Sequence, residues 1–189
     1  MKYLGSKTLE TERLILHKTE EKDLKILWNI LRIEDVSRYY LTAKINDDWE
    51  KEKGWQMKKL QNASNPDVFI WTIELKDTQD VIGQISFHPT DQENIMDIGW
   101  FLDPKFQKKG YAYEAAITAI NYMFSECGLE KIETCVCPKN PNSYRLMEKL
   151  GFQKQKKTRM VKYTIQPQEE QCIEYHLTEK DFRSNKKEG

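Results

Sequence analysis

The sequence carries no surplus of either charge, since 30 Lys and Arg residues stand against 30 Asp and Glu. Nothing global draws such a chain to DNA, RNA or an anionic membrane, so neither a direct nucleic-acid partner nor a membrane partner is expected. Long apolar runs are missing too. No window approaches the roughly 18 residues that a membrane-spanning helix needs, and Met1 to Lys7 lacks the apolar stretch of a secretory signal. The chain reads as cytoplasmic. Histidine is scarce, and the four cysteines, Cys127, Cys135, Cys137 and Cys172, offer one close pair inside a strand-like run. Without a second pair or a group of histidines there is no zinc pattern, and buried or half-buried thiols are expected. Neither G-x-x-x-x-G-K-[ST] nor G-x-G-x-x-G occurs, which makes ATP and NAD poor candidates.

What is present suits one globular domain: 189 residues, 39% of them hydrophobic, against roughly 100–200 residues per domain. At this length folding buries about 70% of the unfolded surface, enough for a core without disulfides or metal. No repeat or low-complexity linker interrupts it, so a single domain is expected over 1–182 with a polar, fraying tail over 183–189.

Along the chain, Glu12 to His17 is a short β-prone run. Thr19, followed by Glu20 and Glu21, offers a capping hydroxyl and two acids to a helix in which Leu24, Leu27, Trp28 and Leu31 form one apolar stripe. A less regular helix is expected from Asp47 or Asp48 to about Leu60. Three β-runs follow, Val68 to Leu75, Val81 to His88 and Ile95 to Leu102, joined by turn-rich segments that suggest an antiparallel meander. Tyr111 to Cys127 is the clearest helix, closed by Gly128. Lys131 to Cys137 reads as a strand, Asn142 to Leu150 as a short helix ended by Gly151, and Thr158 to Ile165 with Cys172 to Leu177 as a hairpin. The order gives a mixed α and β chain with a β-α-β crossover in its middle.

The informative segment is Asp97 to Ala112, where the third meander strand enters a loop of two adjacent lysines and a glycine and a helix begins at once. The first turn of a helix holds unpaired N–H groups and partial positive charge, a seat for phosphate or diphosphate, and Gly110 lets the backbone approach closely. Lys105, Lys108 and Lys109 reinforce it. A solvated basic loop with a turn glycine is the plainer alternative.

Gln107-Lys-Lys-Gly-Tyr-Ala112 resembles the (Q/R)-x-x-G-x-(G/A) signature of the GNAT N-acetyltransferases, and other segments agree in order. Glu12-Arg-Leu-Ile-Leu16 is similar to the opening strand of the RimJ/RimL-like branch, which includes ribosomal-protein N-terminal acetyltransferases. Gly110 to Ala115 fits its G-x-A-x-E-A, and Asn140 to Phe152 fits its N-x-x-S-x-x-(hydrophobic)₂-E-K-x-G-F. The resemblance spans roughly residues 10–180. It implies an α+β fold, the GNAT acyl-CoA N-acyltransferase fold: a mostly antiparallel central sheet, flanked by helices, whose middle strands splay apart to admit acetyl-CoA. The pantetheine arm is then expected along Phe101 and Leu102. The diphosphate falls to Gln107, Lys108, Lys109, Gly110, Tyr111 and Ala112, and Asn140 also meets the pantetheine arm.

Acetyl transfer to an amine needs a base for the ammonium proton and an acid for the departing sulfur. Many relatives use a tyrosine as the acid, and its slot here is Met147. Ser143 takes its place as candidate, because with Leu146, Met147 and Leu150 it lies on the inward edge of its helix; capping that helix, or holding the sulfur without giving a proton, are its alternatives. For the base, Asp97 shares a strand face with Gly99 and Phe101, and His88 is a candidate relay through water. A structural role for either is the competing reading. Glu114, in a first helical turn, reads as structural, and Tyr111, Tyr113 and Tyr144 as core packing. The expected reaction is direct transfer from acetyl-CoA, the co-substrate, to a protein N-terminus or a small amine, with no metal. The alternative is a non-catalytic acetyl-CoA sensor or interaction module. Residues 35–66, with Arg38, Tyr39, Tyr40, Lys44, Asp47, Asp48, Trp49, Glu50 and Trp55, are where relatives choose the acceptor. A homodimer is left open.

Overall fold

Period-two alternation of apolar side chains and period-four stripes sort the chain into strands and helices. The computed structural model describes residues 1–41, 46–62 and 65–185. The strands are β1 (Leu9–Glu10), β2 (Leu14–Lys18), β3 (Phe69–Leu75), β4 (Val81–Pro89), β5 (Ile95–Leu102), β6 (Lys131–Val136), β7 (Gln153–Val161) and β8 (Glu170–Thr178). The helices are α1 (Glu21–Leu31), α2 (Glu34–Ser37), α3 (Trp49–Asn62), α4 (Tyr111–Ser125), α5 (Pro141–Lys149) and α6 (Glu179–Asn185). Among the described residues the strands form one sheet in the order β1-β2-β3-β4-β5-β6-β8-β7, with every pair antiparallel except β5 and β6. This is the α+β arrangement expected, with the meander intact.

Buried clusters cover both faces of the sheet. On one face Ala115, Ala116, Ala119, Ile120 and Met123 of α4 are buried against Trp71, Ile85, Phe87 and Ile98. The three alanines let the helix axis come close to the strands. Ile120 and Met123 have no exposed surface, and truncating either to Ala costs about 2–5 kcal/mol. On the other face Leu27 and Ile30 of α1 pack on Phe101.

The parallel pair matters most for function. β5 and β6 match only at Ile95 with Lys131 and Met96 with Ile132. One further tie, from the Thr134 hydroxyl to the Ile98 carbonyl at 3.4 Å, precedes the separation. Beyond it, Gly99 to Leu102 have no strand on that side among the described residues. The sheet opens in a V between the two strands in which the resemblance placed it.

Four local expectations differ. The N-cap of α1 is Glu20, not Thr19: Glu20 and Asp23 form a reciprocal capping box, while the Thr19 hydroxyl is drawn into the sheet by Thr72 and Gln84. α2 was not foreseen, being only four residues long. β7 begins at Gln153 rather than Thr158, because Gln153 and Lys154 pair with His176 and Tyr175 before a bulge. At the C-terminus α6 continues to Asn185, past the expected start of the tail. Its Phe182 is buried, Arg183 pairs with Glu179, and Asn185 donates to the Lys149 carbonyl at 2.9 Å.

Candidate active site

A cleft of about 710 Å³ lies at the open end of the V. β5 contributes Trp100, Phe101 and Leu102; the loop into α4 and the helix's first turn contribute Gln107, Lys108, Gly110 and Ala112; the start of α5 contributes Asn140 and Ser143. Phe101, Leu102, Gln107, Lys108, Gly110, Ala112, Asn140 and Ser143, all named from the sequence, thus meet in one place. Lys109 and Tyr111 belong to the same loop and first helical turn.

That loop is bent by two left-handed residues, Lys108 at φ 60° and Gly110 at φ 88°. Gly110 is the N-cap of α4 and supplies no side-chain cap. Among the described residues the backbone N–H groups of Lys108, Lys109, Gly110, Tyr111 and Ala112 donate to no protein acceptor. Five such donors at the positive end of a 15-residue helix are what a doubly charged diphosphate needs. The Gln107 side chain works from behind, donating to the Leu102 carbonyl at 3.1 Å and tying the end of β5 to the loop.

Across the cleft Asn140 is the N-cap of α5, its side-chain oxygen accepting from the Ser143 N–H at 3.3 Å. Ser143 does not cap, and its half-buried hydroxyl has no protein partner among the described residues. Met147, in the slot of the family tyrosine, is sealed in the core. The third wall comes from α2 and the residues after it, Asp35, Val36, Arg38 and Tyr39. The Tyr39 hydroxyl donates to the Lys139 carbonyl at 3.2 Å, its ring meets Tyr163 edge-on, and Gln166 donates to the Arg38 carbonyl. The β7–β8 hairpin thereby braces the wall. Of the other acceptor-region residues, Tyr40 packs on Phe101, Trp49 packs on Trp28, and Asp47 pairs with Arg32. Asp47, Asp48, Trp49, Glu50 and Trp55 are not among the cleft's lining residues. Lys44 lies outside the described residues.

Asp97 stands apart from this cleft. It follows the last parallel pair of the V and lines a neighbouring cavity with Glu133, Thr134, Arg159, Glu174 and His176. Burial pushes its carboxyl above the usual range, against the opposing pull of Thr134, Arg159 and His88. His88 is its cross-strand partner and bonds Ser86 at 2.9 Å. Glu114 is structural as expected: its carboxylate accepts from the Thr11 hydroxyl, from the Arg13 N–H at 2.9 Å and from Arg13 Nε at 2.7 Å. Tyr111, Tyr113 and Tyr144 pack against the main core. Arg13 itself, stacked on Tyr111 at 4.4 Å, was missed, because its partners lie about a hundred positions away.

A split parallel pair, a row of backbone donors and a capped helix opposite thus share one cleft. The chain matches the acetyltransferase (GNAT) domain family over residues 13–153. It is 34% identical over 152 residues to an uncharacterized N-acetyltransferase, p20, of Bacillus licheniformis, covering 78% of this chain and 83% of that one. Among solved structures, a GNAT-family acetyltransferase from Bacillus anthracis shares 27% identity and a TM-score of 0.78, over 92% of this chain and 99% of that one. The ribosomal-protein-S5-alanine acetyltransferase of Vibrio fischeri, at 20% identity and a TM-score of 0.78 over 94% and 99%, shares the fold. The chain belongs to the GNAT acetyltransferase family, and its co-substrate is acetyl-CoA.

Proposed function

We propose that this enzyme transfers the acetyl group of acetyl-CoA directly to a primary amine, and that the amine is a protein N-terminus. The observation that carries the transfer is the facing pair of donor sets: the backbone N–H row from Lys108 to Ala112 and, opposite, Asn140 with the unpartnered Ser143 hydroxyl. Acetyl-CoA supplies an activated acyl group on a sulfur leaving group. The chain's residues hold and orient it: the N–H row takes the diphosphate, the splayed end of β5 at Phe101 and Leu102 takes the pantetheine arm, and the Asn140 amide N–H₂ meets that arm from the other side. Ser143 gives a proton to the sulfur. Asp97, in the neighbouring cavity rather than in the cleft, receives the proton of the ammonium through water and His88, and its half-buried carboxyl binds a proton more readily than usual. The RimJ/RimL-like motifs around Glu12, Gly110 and Asn140 support a protein N-terminus as acceptor, and a small amine is the competing choice.

A second reading, a sensor that binds acetyl-CoA without turning it over, draws on Met147: a core-packed thioether replaces the family's phenolic acid. Following free thiol while purified protein meets acetyl-CoA and a panel of peptides, ribosomal proteins and small amines separates the readings. Turnover with peptide N-termini is expected; turnover with small amines alone moves the acceptor, and silence across the panel favours the sensor.

A further inference from the structure

The loop that forms the N–H row is costly in itself. Lys108 at φ 60° is a non-glycine residue in the left-handed region, where Cβ crowds the following carbonyl oxygen. A shape of that kind persists when its surroundings hold it. Arg13, just before β2 and nearly a hundred residues away, does the holding. Its Nη1 donates to the Lys109 carbonyl at 3.2 Å. Its Nε and Nη2 grip Glu114 at 2.7 and 2.6 Å, one turn into α4. The guanidinium lies over the Tyr111 ring at 4.4 Å, and a side chain at Gly110 would begin 3.2 Å from Nη2.

The Lys109 carbonyl and the Gly110 N–H belong to one peptide plane, and in a trans peptide they point opposite ways. Whatever fixes that carbonyl fixes the N–H. We propose that Arg13 is a positioning residue for the diphosphate seat: by holding the Lys109 carbonyl it turns the Gly110 N–H away from itself, toward the cleft that Gly110 lines. Arg13 does so without touching the co-substrate, and Glu114 and Tyr111 set its guanidinium at the required angle. This rests on the reading of the 108–112 loop as the diphosphate seat.

The test compares acetyl-CoA with S-acetylpantetheine, a donor that lacks the diphosphate. In the wild type kcat/KM favours acetyl-CoA strongly; if it does not, the seat itself is misread, whatever Arg13 does. In Arg13→Ala the ratio of the two kcat/KM values is expected to fall about tenfold, carried by KM for acetyl-CoA with kcat retained, the scale of one lost charge-assisted hydrogen bond. Equal losses with both donors would make Arg13 a general structural residue and overturn the proposal. Removing Arg13 also unmasks the Glu114 charge near the seat, so Arg13→Ala/Glu114→Gln is the control: the ratio stays low if positioning is the cause, and its return to the wild-type value would refute the proposal. Should Arg13→Ala not fold, Arg13→Lys keeps the charge but lacks the fork that holds both partners at once. An intermediate ratio is expected from it, and an unchanged one counts against the proposal.

Discussion

The side-chain oxygen of Asn140 accepts the N–H of Ser143 at 3.3 Å, so the residue that starts α5 also frees the next candidate, the Ser143 hydroxyl, from capping duty. Two roles on one side chain are separable. Asn140→Ala removes the cap and is expected to cost about 1 kcal/mol of stability. Asn140→Asp keeps the cap, since aspartate serves as well, but loses the amide donors toward the pantetheine arm. Thermal melts and acetyl-CoA kinetics together check this: the Asp variant should melt near the wild type while its KM for acetyl-CoA rises.

Ser143→Ala is expected to bind acetyl-CoA within a few-fold of the wild type while kcat falls about a hundredfold, the lower end of what a positioned acid contributes. Calorimetry with a non-reactive CoA analogue and steady-state kinetics read the two effects independently. Unchanged turnover would return the hydroxyl to a contact role.

Asp97 links stability and pH. Burial raises its carboxyl above the ordinary value of 3.8, partly offset by Thr134, Arg159 and His88. An acid whose folded pKa is raised contributes stability while protonated, and loses it as pH rises through the folded value. At neutral pH, then, Asp97→Asn should raise the melting temperature while lowering kcat, since the ionised form is the one that accepts a proton. A variant that melted higher and turned over normally would show that the carboxylate is not the base.

Glu114 runs the other way. Burial alone would raise its carboxyl, but hydrogen bonds from Thr11 and from the backbone and side chain of Arg13 outweigh that and hold it below 4.5. Its contribution is present above that value and is lost as pH falls through the lowered folded pKa. Melting curves of the wild type and Glu114→Gln are expected to differ most near neutral pH and to converge in acid. A gap that persisted at pH 3 would mean the carboxylate charge is not what the site uses.

The candidate seat rests on local chemistry. Gln107 to Ala112 puts lysines, a glycine and a helix start within six residues, and no distant contact is needed to recognise them. Asn140 and Ser143 are close in sequence in the same way, and the structure brings both to the cleft. What decides the loop's shape was not, because Arg13 and Glu114 lie far apart in sequence and meet only when β2 passes beside α4. The first residues of β7 were missed because Gln153 to Lys157 is polar and lysine-rich; pairing to β8, not propensity, makes them a strand. By residue type Thr19 is the better cap, and glutamate is not among the usual ones. The choice fell to Asp23, whose side chain closes the box on the Glu20 N–H at 2.8 Å.

The most direct test is a crystal structure with bound CoA. The diphosphate oxygens are expected within hydrogen-bond distance of the backbone N–H groups of Lys108 to Ala112, with Gly110 still left-handed and Arg13 on the Lys109 carbonyl. A diphosphate bound elsewhere, with those five donors turned to solvent, would contradict the account.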